Sequence, residues 1–326
     1  MTNYRDAKYT FPTVTFSGAT ESSPVEGNIW YDSGKYYLGT SQSIAGIWST
    51  GGNLATGREL GGGMGTQTAG LYGGGRTDIV NAIYLTTTEE YNGTTWSSGG
   101  NMATARSNAA PGGTQVAGFI AAGRAAGYLS STEEYNGTAW SSGGSVSTAR
   151  AYLAGAGTQT AGLCMGGLDG ADMNETEEYD GSSWSSGGNL ATARNSLAAC
   201  GIQTAALCFA GSTGSDVAND VTEEYDGTSW SAGGNVILAR WYLSGAGTQS
   251  AAINFGGGTP NNTTEEYDGS SWSAGGNLVT GGWGMGGAGT LAAGLGMGGG
   301  GESVITQEYG AGIGSYDKLF NAVGGL

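Results

Sequence analysis

The feature that most constrains the fold is the tract Thr-Glu-Glu-Tyr-(Asn/Asp)-Gly-X-X-Trp-Ser, which occurs five times in this chain of 326 residues. The copies are Thr88–Ser97, Thr132–Ser141, Thr176–Ser185, Thr222–Ser231 and Thr264–Ser273. Their tryptophans are separated by 44, 44, 46 and 42 residues. A period of this length predicts a solenoid, a propeller or another array of similar units.

Composition narrows the class of protein further. The chain has 67 glycines without a three-residue period, only 12% charged residues and a formal net charge of −16. These values are not those of collagen or of a disordered chain. The acidic surface repels nucleic acid and anionic membranes, so we expect neither as a partner.

The first twenty residues lack a basic segment followed by an apolar run, and no stretch has the roughly 18 apolar residues of a membrane helix. We therefore expect no signal peptide and synthesis in the cytoplasm. Three cysteines are present, and Cys164 and Cys208 occupy the same place in successive repeats. Such positions favour small buried side chains over a disulfide, and the odd count favours reduced thiols.

One repeat reads as four antiparallel strands. In residues 145–188 we predict strands at Ala149–Gly157, Thr160–Gly167 and Thr176–Tyr179, followed by a strand that carries Trp184. Asp180-Gly181 predicts a two-residue hairpin with positive φ at both positions. Four short strands per unit, without helical periodicity, are typical of a propeller blade.

Counting units predicts an all-β, six-bladed propeller over residues 44–309. The sixth unit ends at Tyr309 without a tryptophan strand, and Trp48 stands in a fourth-strand sequence that has no unit before it. Placing Trp48 as the outer strand of the last blade closes the ring and leaves no unpaired edge. Seven blades remain the alternative if residues 25–45 supply strands of another blade.

The repeats resemble the kelch family. Its Gly-Gly doublet, Tyr, Trp and connector Arg correspond here to Gly166-Gly167, Tyr179, Trp184 and Arg194. The resemblance implies a kelch-type β-propeller, and the near-identity of successive units is similar to propellers of tailed bacteriophages, especially marine ones. It departs from the copper-oxidase members of the family, because histidine is absent. We expect no metal and no cofactor.

The repeated charged and aromatic residues are interpreted as structure. Adjacent glutamates on a strand point to opposite faces, so a Glu-Glu pair cannot converge on one substrate. We expect one glutamate per blade to pair within about 4 Å with the repeated arginine, and the other to face solvent. In the sixth unit Gly281 replaces the arginine and Gln307 the glutamate. The predicted structural residues are Trp48, Trp96, Trp140, Trp184, Trp230 and Trp272 with Arg58, Arg106, Arg150, Arg194 and Arg240.

Differences in repeat length fall in the loop between the second and third strands. Strand alternation places these loops on one rim with the inter-blade connectors, and we predict that this rim binds a ligand. The candidate binding residues are Arg76, Asp78, Tyr84, Arg124, Tyr128, Asp169, Asp172, Asp216, Asp220, Asn261 and Asn262. Their Asp and Asn oxygens leave Ca²⁺ binding open, and solvated loops are the plainer alternative.

Residues 1–43 precede the ring. We expect a strand at Thr13–Phe16 and a small hairpin in which a Ser-Gly turn joins Gly27–Asp32 to Lys35–Leu38. This segment resembles the N-terminal parts of phage appendage proteins, which implies an arm that docks the propeller to other virion proteins in several copies. The tail 310–326 is predicted to be a second contact or to pack at the seam of the ring.

The sequence thus favours a non-enzymatic virion protein: a fibre, neck or capsid appendage that recognises host surface glycan or another virion protein. Two other functions stay open. One is a carboxylate-dependent glycan hydrolase, which would need two unique carboxylates about 5–9.5 Å apart. The other is an intracellular kelch-type adaptor for a protein partner.

Overall fold

Four-stranded antiparallel sheets follow one another along the chain, as the repeat predicts. The computed structural model describes residues 29–32, 35–77, 80–214 and 217–320, and the described part is all-β. One compact unit spans Ala45–Ala311, and a second unit comprises Met1–Ile44 with Gly312–Leu326. None of the described residues forms a helix long and apolar enough to cross a membrane.

Each of the first five blades uses four antiparallel strands, which run in chain order from the axis outward. Blade 1 comprises Gly62–Thr66, Ala69–Gly73, Thr88–Tyr91 and Trp96–Ser98. Blade 2 comprises Ala110–Thr114, Ala117–Arg124, Tyr128–Tyr135 and Trp140–Ser142. Blade 3 comprises Ala154–Thr158, Ala161–Met165, Thr176–Tyr179 and Trp184–Ser186. Blade 4 comprises Ala198–Ile202, Ala205–Phe209, Thr222–Tyr225 and Trp230–Ala232, and blade 5 comprises Leu243–Thr248, Ala251–Gly256, Thr264–Tyr267 and Trp272–Ala274.

The sixth blade joins the two ends of the propeller sequence. It comprises Gly286–Thr290, Ala293–Met297 and Thr306–Phe320, with the strand Lys35–Thr50 next to the last of these. The Gly51 N–H donates to the Thr306 carbonyl over 2.9 Å at this junction. The prediction that Trp48 lies on the outer strand of the last blade is confirmed, and the ring has six blades rather than seven.

The innermost strands of the six blades contact one another in a closed cycle. Small residues allow this close approach. A β-carbon on Gly63 would lie 2.7 Å from the backbone nitrogen of Gly287, and one on Gly287 would lie 2.6 Å from the Gly245 carbonyl oxygen. Any side chain at these two glycines would therefore push neighbouring blades apart.

The predicted bounds of the inner strands were too long. In blade 3 the first strand is Ala154–Thr158, not Ala149–Gly157, and the second is Ala161–Met165, not Thr160–Gly167. Tyr152 has φ of 60° and Gly166 has φ of 64°, values that an extended strand does not contain. The residues before Ala154 therefore belong to the connector.

The predicted two-residue hairpin at Asp180-Gly181 is also wrong. Tyr179 pairs with Trp184, so four residues make the loop, and of them only Gly181 has a positive φ. The Asp180 carboxylate accepts hydrogen bonds from the N–H groups of Ser182 and Ser183 at 2.8 and 2.7 Å. These bonds, that of Ser183 first, lower the pKa of Asp180 to about 2. An Asx turn therefore closes this loop.

A hydrophobic cluster lies at every seam between neighbouring blades. Between blades 1 and 2, for example, Met64 and Leu71 pack with Ile120 and Tyr135, and Trp140 covers them. The interpretation of the repeated tryptophans as inter-blade core is confirmed. Each of their indole N–H groups also donates to the threonine of the Thr-Glu-Glu-Tyr tract, or its blade 6 equivalent, in the preceding blade, at 2.8 to 3.0 Å.

At five seams, a glutamine in the hairpin turn makes a second set of hydrogen bonds to the preceding blade. The Gln159 side-chain amide, for example, donates to the Gly118 and Tyr135 carbonyls of the preceding blade, both over 3.0 Å. Gln67, Gln115, Gln203 and Gln249 make the equivalent pairs of bonds. In blade 6 the side chain of Leu291 packs against the seam cluster instead.

Outside the propeller unit, Ile29–Asp32 pairs with Lys35–Leu38 as a hairpin, as predicted, with Trp30 opposite Tyr37. Gly27 and Asn28 of the predicted first arm lie outside the described residues. The predicted strand Thr13–Phe16 lies outside the described residues. Two short ribbons project from the loops of blades 1 and 4: Arg76–Thr77 pairs with Ile83–Tyr84, and Ser212–Thr213 pairs with Val217–Ala218.

Candidate binding face

The repeated arginines form buried ion pairs inside the blades. Their side-chain nitrogens lie 2.6 to 3.3 Å from the first glutamate of each tract: Arg58–Glu89, Arg106–Glu133, Arg150–Glu177, Arg194–Glu223 and Arg240–Glu265. The expected pairing is confirmed. Burial lowers the pKa of Arg106 and Arg240, and the paired glutamate opposes this shift.

Three of the arginines, Arg58, Arg106 and Arg194, also fix the base of a variable loop by donating to two backbone carbonyls there. Arg58 Nη1 donates to the Gly74 and Thr87 carbonyls at 3.1 and 2.8 Å, at the two ends of the loop of blade 1. The Glu89 carboxylate meanwhile accepts the N–H groups of Ala55 and Thr56 in the connector. The Arg58–Glu89 pair thus links the connector to the loop by hydrogen bonds. We therefore interpret the repeated arginines and glutamates as structural residues.

Blade 6 replaces the ion pair by a neutral amide. The equivalent of the arginine is Gly282, not Gly281 as we predicted: the Gly257 N–H donates to the Gly282 carbonyl as the Gly211 N–H donates to that of Arg240. The Gln307 side chain accepts from the Thr280 N–H and donates to the Thr280 carbonyl, both over 2.9 Å. The loss of both charges together means that neither Gln307 nor Gly282 leaves a buried charge without a partner.

The second glutamates do not simply face solvent, as we had expected. They are half-buried, and each accepts a hydrogen bond from a tyrosine hydroxyl of the next blade. Tyr225 donates to Glu178 over 2.6 Å, and Tyr135 donates to Glu90 over 2.5 Å. The remaining pairs are Tyr91–Glu308, Tyr179–Glu134, Tyr267–Glu224 and Tyr309–Glu266. Both glutamates of every tract are therefore engaged in the framework.

A closed ring of six backbone hydrogen bonds surrounds the propeller axis at the start of the inner strands. Each N–H donates to the carbonyl of the equivalent residue in the preceding blade, over 2.7 to 3.0 Å. The six residues line a single cavity, which we call the axial mouth. They are Leu60, Asn108, Tyr152, Ser196, Tyr242 and Gly284.

All six mouth residues have φ between 52° and 60°. This left-handed conformation is uncommon for residues other than glycine, and bulky residues such as Tyr152 and Tyr242 adopt it only where their surroundings enforce it. The ring hydrogen bonds enforce it here. The bonds involve only the backbone, so the side chain can differ, and the six equivalent positions carry five residue types in an otherwise repetitive chain.

The residue before each mouth residue pairs with the first residue after the Gly-Gly position. The pairs differ in composition among blades 1 to 4 and are Trp with Gly in both blades 5 and 6. The pairs are Glu59 with Arg76, Ser107 with Arg124, Ala151 with Leu168, Asn195 with Ser212, Trp241 with Gly258, and Trp283 with Gly300. We call the rim formed by these pairs, the mouth and the variable loops the loop face.

Four of the predicted binding residues meet on the loop face at blades 1 and 2. Arg76 Nε lies 2.8 Å from Glu59 Oε1, and Tyr84 stands opposite Arg76 in its ribbon. The Arg124 guanidinium lies 5.5 Å from the ring centre of Tyr128 and also interacts with the Tyr84 hydroxyl. This part of the loop face thus carries two arginines and two tyrosines. Both guanidinium groups already interact with neighbouring side chains.

The predicted acidic residues do not assemble into one site. Asp172 accepts from the Asn195 side chain and the Gly214 N–H, both over 2.6 Å, and so links the loops of blades 3 and 4. Asp169 and Asp220 are exposed on separate loops. Asp78 and Asp216 lie outside the described residues. Among the described side chains, no group of three Asp, Glu or Cys residues has the geometry to hold a metal ion.

At blades 5 and 6 the loop face is aromatic. A cleft of about 260 Å³ is lined by Trp241, Tyr242, Gly257, Gly258, Thr259, Asn261 and Trp283. The Tyr242 and Trp283 ring centres are 5.6 Å apart, and those of Tyr152 and Tyr242 are 6.2 Å apart. The predicted residue Asn261 lies in this cleft, whereas Asn262 accepts the Leu278 N–H through its backbone carbonyl.

The sequence analysis missed the mouth residues and the two cleft tryptophans because it placed them inside the first strand. A signal was available: within a nearly constant repeat, the two residues after the repeated arginine differ in every unit. Fold and site together define a six-bladed β-propeller with one variable face. Comparison with protein-family models and with curated protein sequences gives no match.

The three cysteines are buried inside blades 3 and 4 and are unpaired with one another. Cys164 and Cys208 accept hydrogen bonds from Arg150 and Arg194 at 3.3 and 3.0 Å. Burial raises the pKa of Cys164 to about 11 and that of Cys208 to about 12. These thiols therefore belong to the core and not to the loop face.

Proposed function

We propose that the chain is a non-enzymatic binding protein of a tailed-phage particle, a kelch-type propeller that engages its ligand through the loop face. One observation carries this proposal. The contacts that hold the blades together repeat around the ring, whereas the mouth positions above them carry Leu, Asn, Tyr, Ser, Tyr and Gly. A scaffold kept constant under a varied surface is what a recognition protein requires.

The geometry of the repeated carboxylates supports binding over catalysis. The first glutamates of the five tracts are held by arginines, and the second by tyrosine hydroxyls. A general acid or base must be able to exchange its proton with substrate. The carboxylates that the repeat supplies are already committed to the framework, and the aromatic and amide groups of the loop face suit recognition.

The placement on a particle rests on the resemblance of the repeats to phage propellers and on the segment before the ring. We propose that residues 1–43 dock the propeller to other virion proteins in several copies, and that the loop face meets a surface outside the particle. The surface it meets is then a component of the host cell envelope. Multiple copies would convert weak single contacts into tight attachment, because linked sites raise the effective concentration.

The test compares purified particles that carry the natural chain with particles that carry Tyr152→Ala, which truncates a half-buried mouth residue. We expect the chain in particles by mass spectrometry and imaging, and adsorption to host cells to fall roughly tenfold or more in the variant. Val116→Ser is the control, since Val116 is 64% exposed in a turn on the opposite rim. A chain found only as a free monomer, or equal adsorption by both variants, would overturn the proposal.

A further inference from the structure

We infer that the cleft between blades 5 and 6 binds an uncharged sugar ring. The inference rests on the proposed binding function of the loop face and names the ligand class for it. The cleft is the place where half-buried aromatic rings are gathered next to polar groups. Its walls are Trp241, Tyr242 and Trp283, and its floor and rim are Gly257, Gly258, Thr259 and Asn261.

The tryptophans of the cleft differ from those of the framework. The framework indoles lie in the seam clusters and donate to threonine, as Trp184 does to Thr132 over 2.9 Å. Trp241 and Trp283 follow the connector of their blades and line an open cleft. An aromatic ring of this size at a surface is a large apolar area available to a ligand.

The residues that pair with these two tryptophans, Gly258 and Gly300, are what makes room for the cleft. At the equivalent position blades 1 to 4 carry Arg76, Arg124, Leu168 and Ser212, whereas blades 5 and 6 carry Gly258 and Gly300. A β-carbon on Gly300 would overlap the Trp283 indole. A β-carbon on Gly258 would meet only the Arg240 β-carbon, at 3.5 Å. Gly300 thus seats the Trp283 ring, and Gly258 leaves the space beside it open.

The chemistry of the lining selects the ligand. A pyranose presents an apolar C–H face, which suits an aromatic ring, and an edge of hydroxyls, which suits the Asn261 amide and the Thr259 hydroxyl. A wholly apolar partner would desolvate those polar groups without replacing their hydrogen bonds. A quaternary ammonium ion would favour a carboxylate beside the rings, and the described lining residues are all uncharged.

The size of the cleft fits one ring. Its volume of about 260 Å³ is below the roughly 300–1,000 Å³ of sites that enclose drug-sized ligands. Tyr242 lines both the cleft and the axial mouth, and Tyr152 continues the aromatic line across the mouth. A longer glycan bound by its terminal ring in the cleft would therefore extend over the mouth.

The experiment is ¹⁹F NMR of the full chain labelled with 5-fluorotryptophan. The chain has nine tryptophans, and Trp241→Phe and Trp283→Phe assign the two cleft signals. The probes are neutral methyl glycosides of glucose, galactose and mannose and their disaccharides. We expect at least one probe to shift the Trp241 and Trp283 signals while the framework signals stay in place, and Trp283→Ala to weaken its binding roughly tenfold or more.

Gly258→Leu is the decisive variant, because it gives blade 5 the side chain that blade 3 carries at Leu168 and should fill the cleft without unfolding the blade. It should abolish the response, and unchanged framework signals report its folding. Absence of any shift with neutral glycosides, a response to tetramethylammonium alone, or a response that survives Gly258→Leu would overturn the inference. If Gly258→Leu particles still adsorb to host cells while Tyr152→Ala particles do not, the cleft is excluded and the loop-face function stands.

Discussion

Blades 1 to 5 and blade 6 solve the same structural problem in different ways. In the first five, a connector arginine and a strand glutamate form a buried pair, such as Arg194–Glu223 at 3.0 Å. In blade 6, the Gln307 side-chain amide accepts from the Thr280 N–H and donates to the Thr280 carbonyl. Gly282 occupies the position that the arginine has in the other blades. The comparison teaches that the fold needs this position to be satisfied by hydrogen bonds, and does not need it to be charged.

The largest effect should come from breaking one charged pair. Arg194→Met leaves Glu223 buried without its cation, and we expect a loss of about 3–5 kcal/mol in the free energy of unfolding. The double variant Arg194→Met/Glu223→Gln copies the neutrality of blade 6. It should be less destabilised than the single variant by at least about 1 kcal/mol.

Urea unfolding of the two single variants and the double variant measures this coupling. Glu223→Gln keeps an acceptor for the Ala191 N–H, which now donates to Glu223 over 2.7 Å. The single and double variants would be equally unstable if the arginine acted only through its bonds to carbonyls. That result would mean that charge pairing contributes nothing to the blade.

A smaller effect is expected when the charge is introduced into the neutral blade. Gln307→Glu places a carboxylate at a position that is 1% exposed, and the loss of the bond to the Thr280 carbonyl adds to the cost. We expect about 1–3 kcal/mol of destabilisation at pH 7. Burial should raise the pKa of the new carboxyl above its unfolded value. The deficit should therefore be smallest below the unfolded pKa and should grow as the pH rises through the folded pKa.

Thermal unfolding of Gln307→Glu at pH 4 and pH 7 checks this direction, with the natural chain as reference. Adding Gly282→Arg supplies the missing partner, and the double variant should recover part of the loss at pH 7. A β-carbon at Gly282 meets the Met285 side chain at 3.2 Å, which can move to admit it. An equal deficit at both pH values would show that the cost is steric.

The smallest effect concerns the tyrosine bonds, which blade 6 shares with the others. Tyr225→Phe removes one bond to Glu178 and should cost about 0.5–1.5 kcal/mol at pH 7. Burial first, and then the bond to Glu178, raise the pKa of Tyr225 to about 12 from the ordinary 10.0. Its contribution is thus complete below pH 10 and is lost as the pH rises towards 12.

Urea midpoints of the natural chain and Tyr225→Phe, taken at pH 7, 10 and 11, should converge as the pH rises. Trp230→Phe is a matched control at the same seam, because Trp230 donates to Thr176 over 2.9 Å and does not titrate. If the difference between the two urea midpoints stays constant from pH 7 to pH 11, the loss of stability at high pH does not come from the Tyr225–Glu178 bond.

The architecture could be predicted from the sequence because the repeat carries it. The period of the repeat predicted the four-stranded blade. Trp48, which stands in a fourth-strand sequence with no unit before it, predicted how the ring closes. The arginine and glutamate pairing could also be predicted, since both change in the sixth unit. The hairpin at Asp180 could not, because Asp-Gly fits both a two-residue turn and an Asx turn, and the choice depends on where Tyr179 finds its partner.

The residues of the loop face were predicted only in part. Differences in loop length identified the variable rim and included Asn261, Arg76 and Tyr84, which the structure places there. Tyr152, Tyr242 and Trp283 looked like strand residues, because their left-handed or connector positions arise from bonds between blades and not from local sequence. Residues that converge from three repeats across an axis cannot be recognised until the ring has closed.

The ring of hydrogen bonds at the axial mouth has a consequence for recognition. Each bond joins the N–H of one mouth residue to the carbonyl of the mouth residue in the preceding blade, so both backbone groups of all six residues are satisfied within the circle. None of these N–H groups is left to donate to a ligand. A molecule at the mouth therefore meets side chains there, and one substitution can change what the face presents while the circle beneath it stays intact.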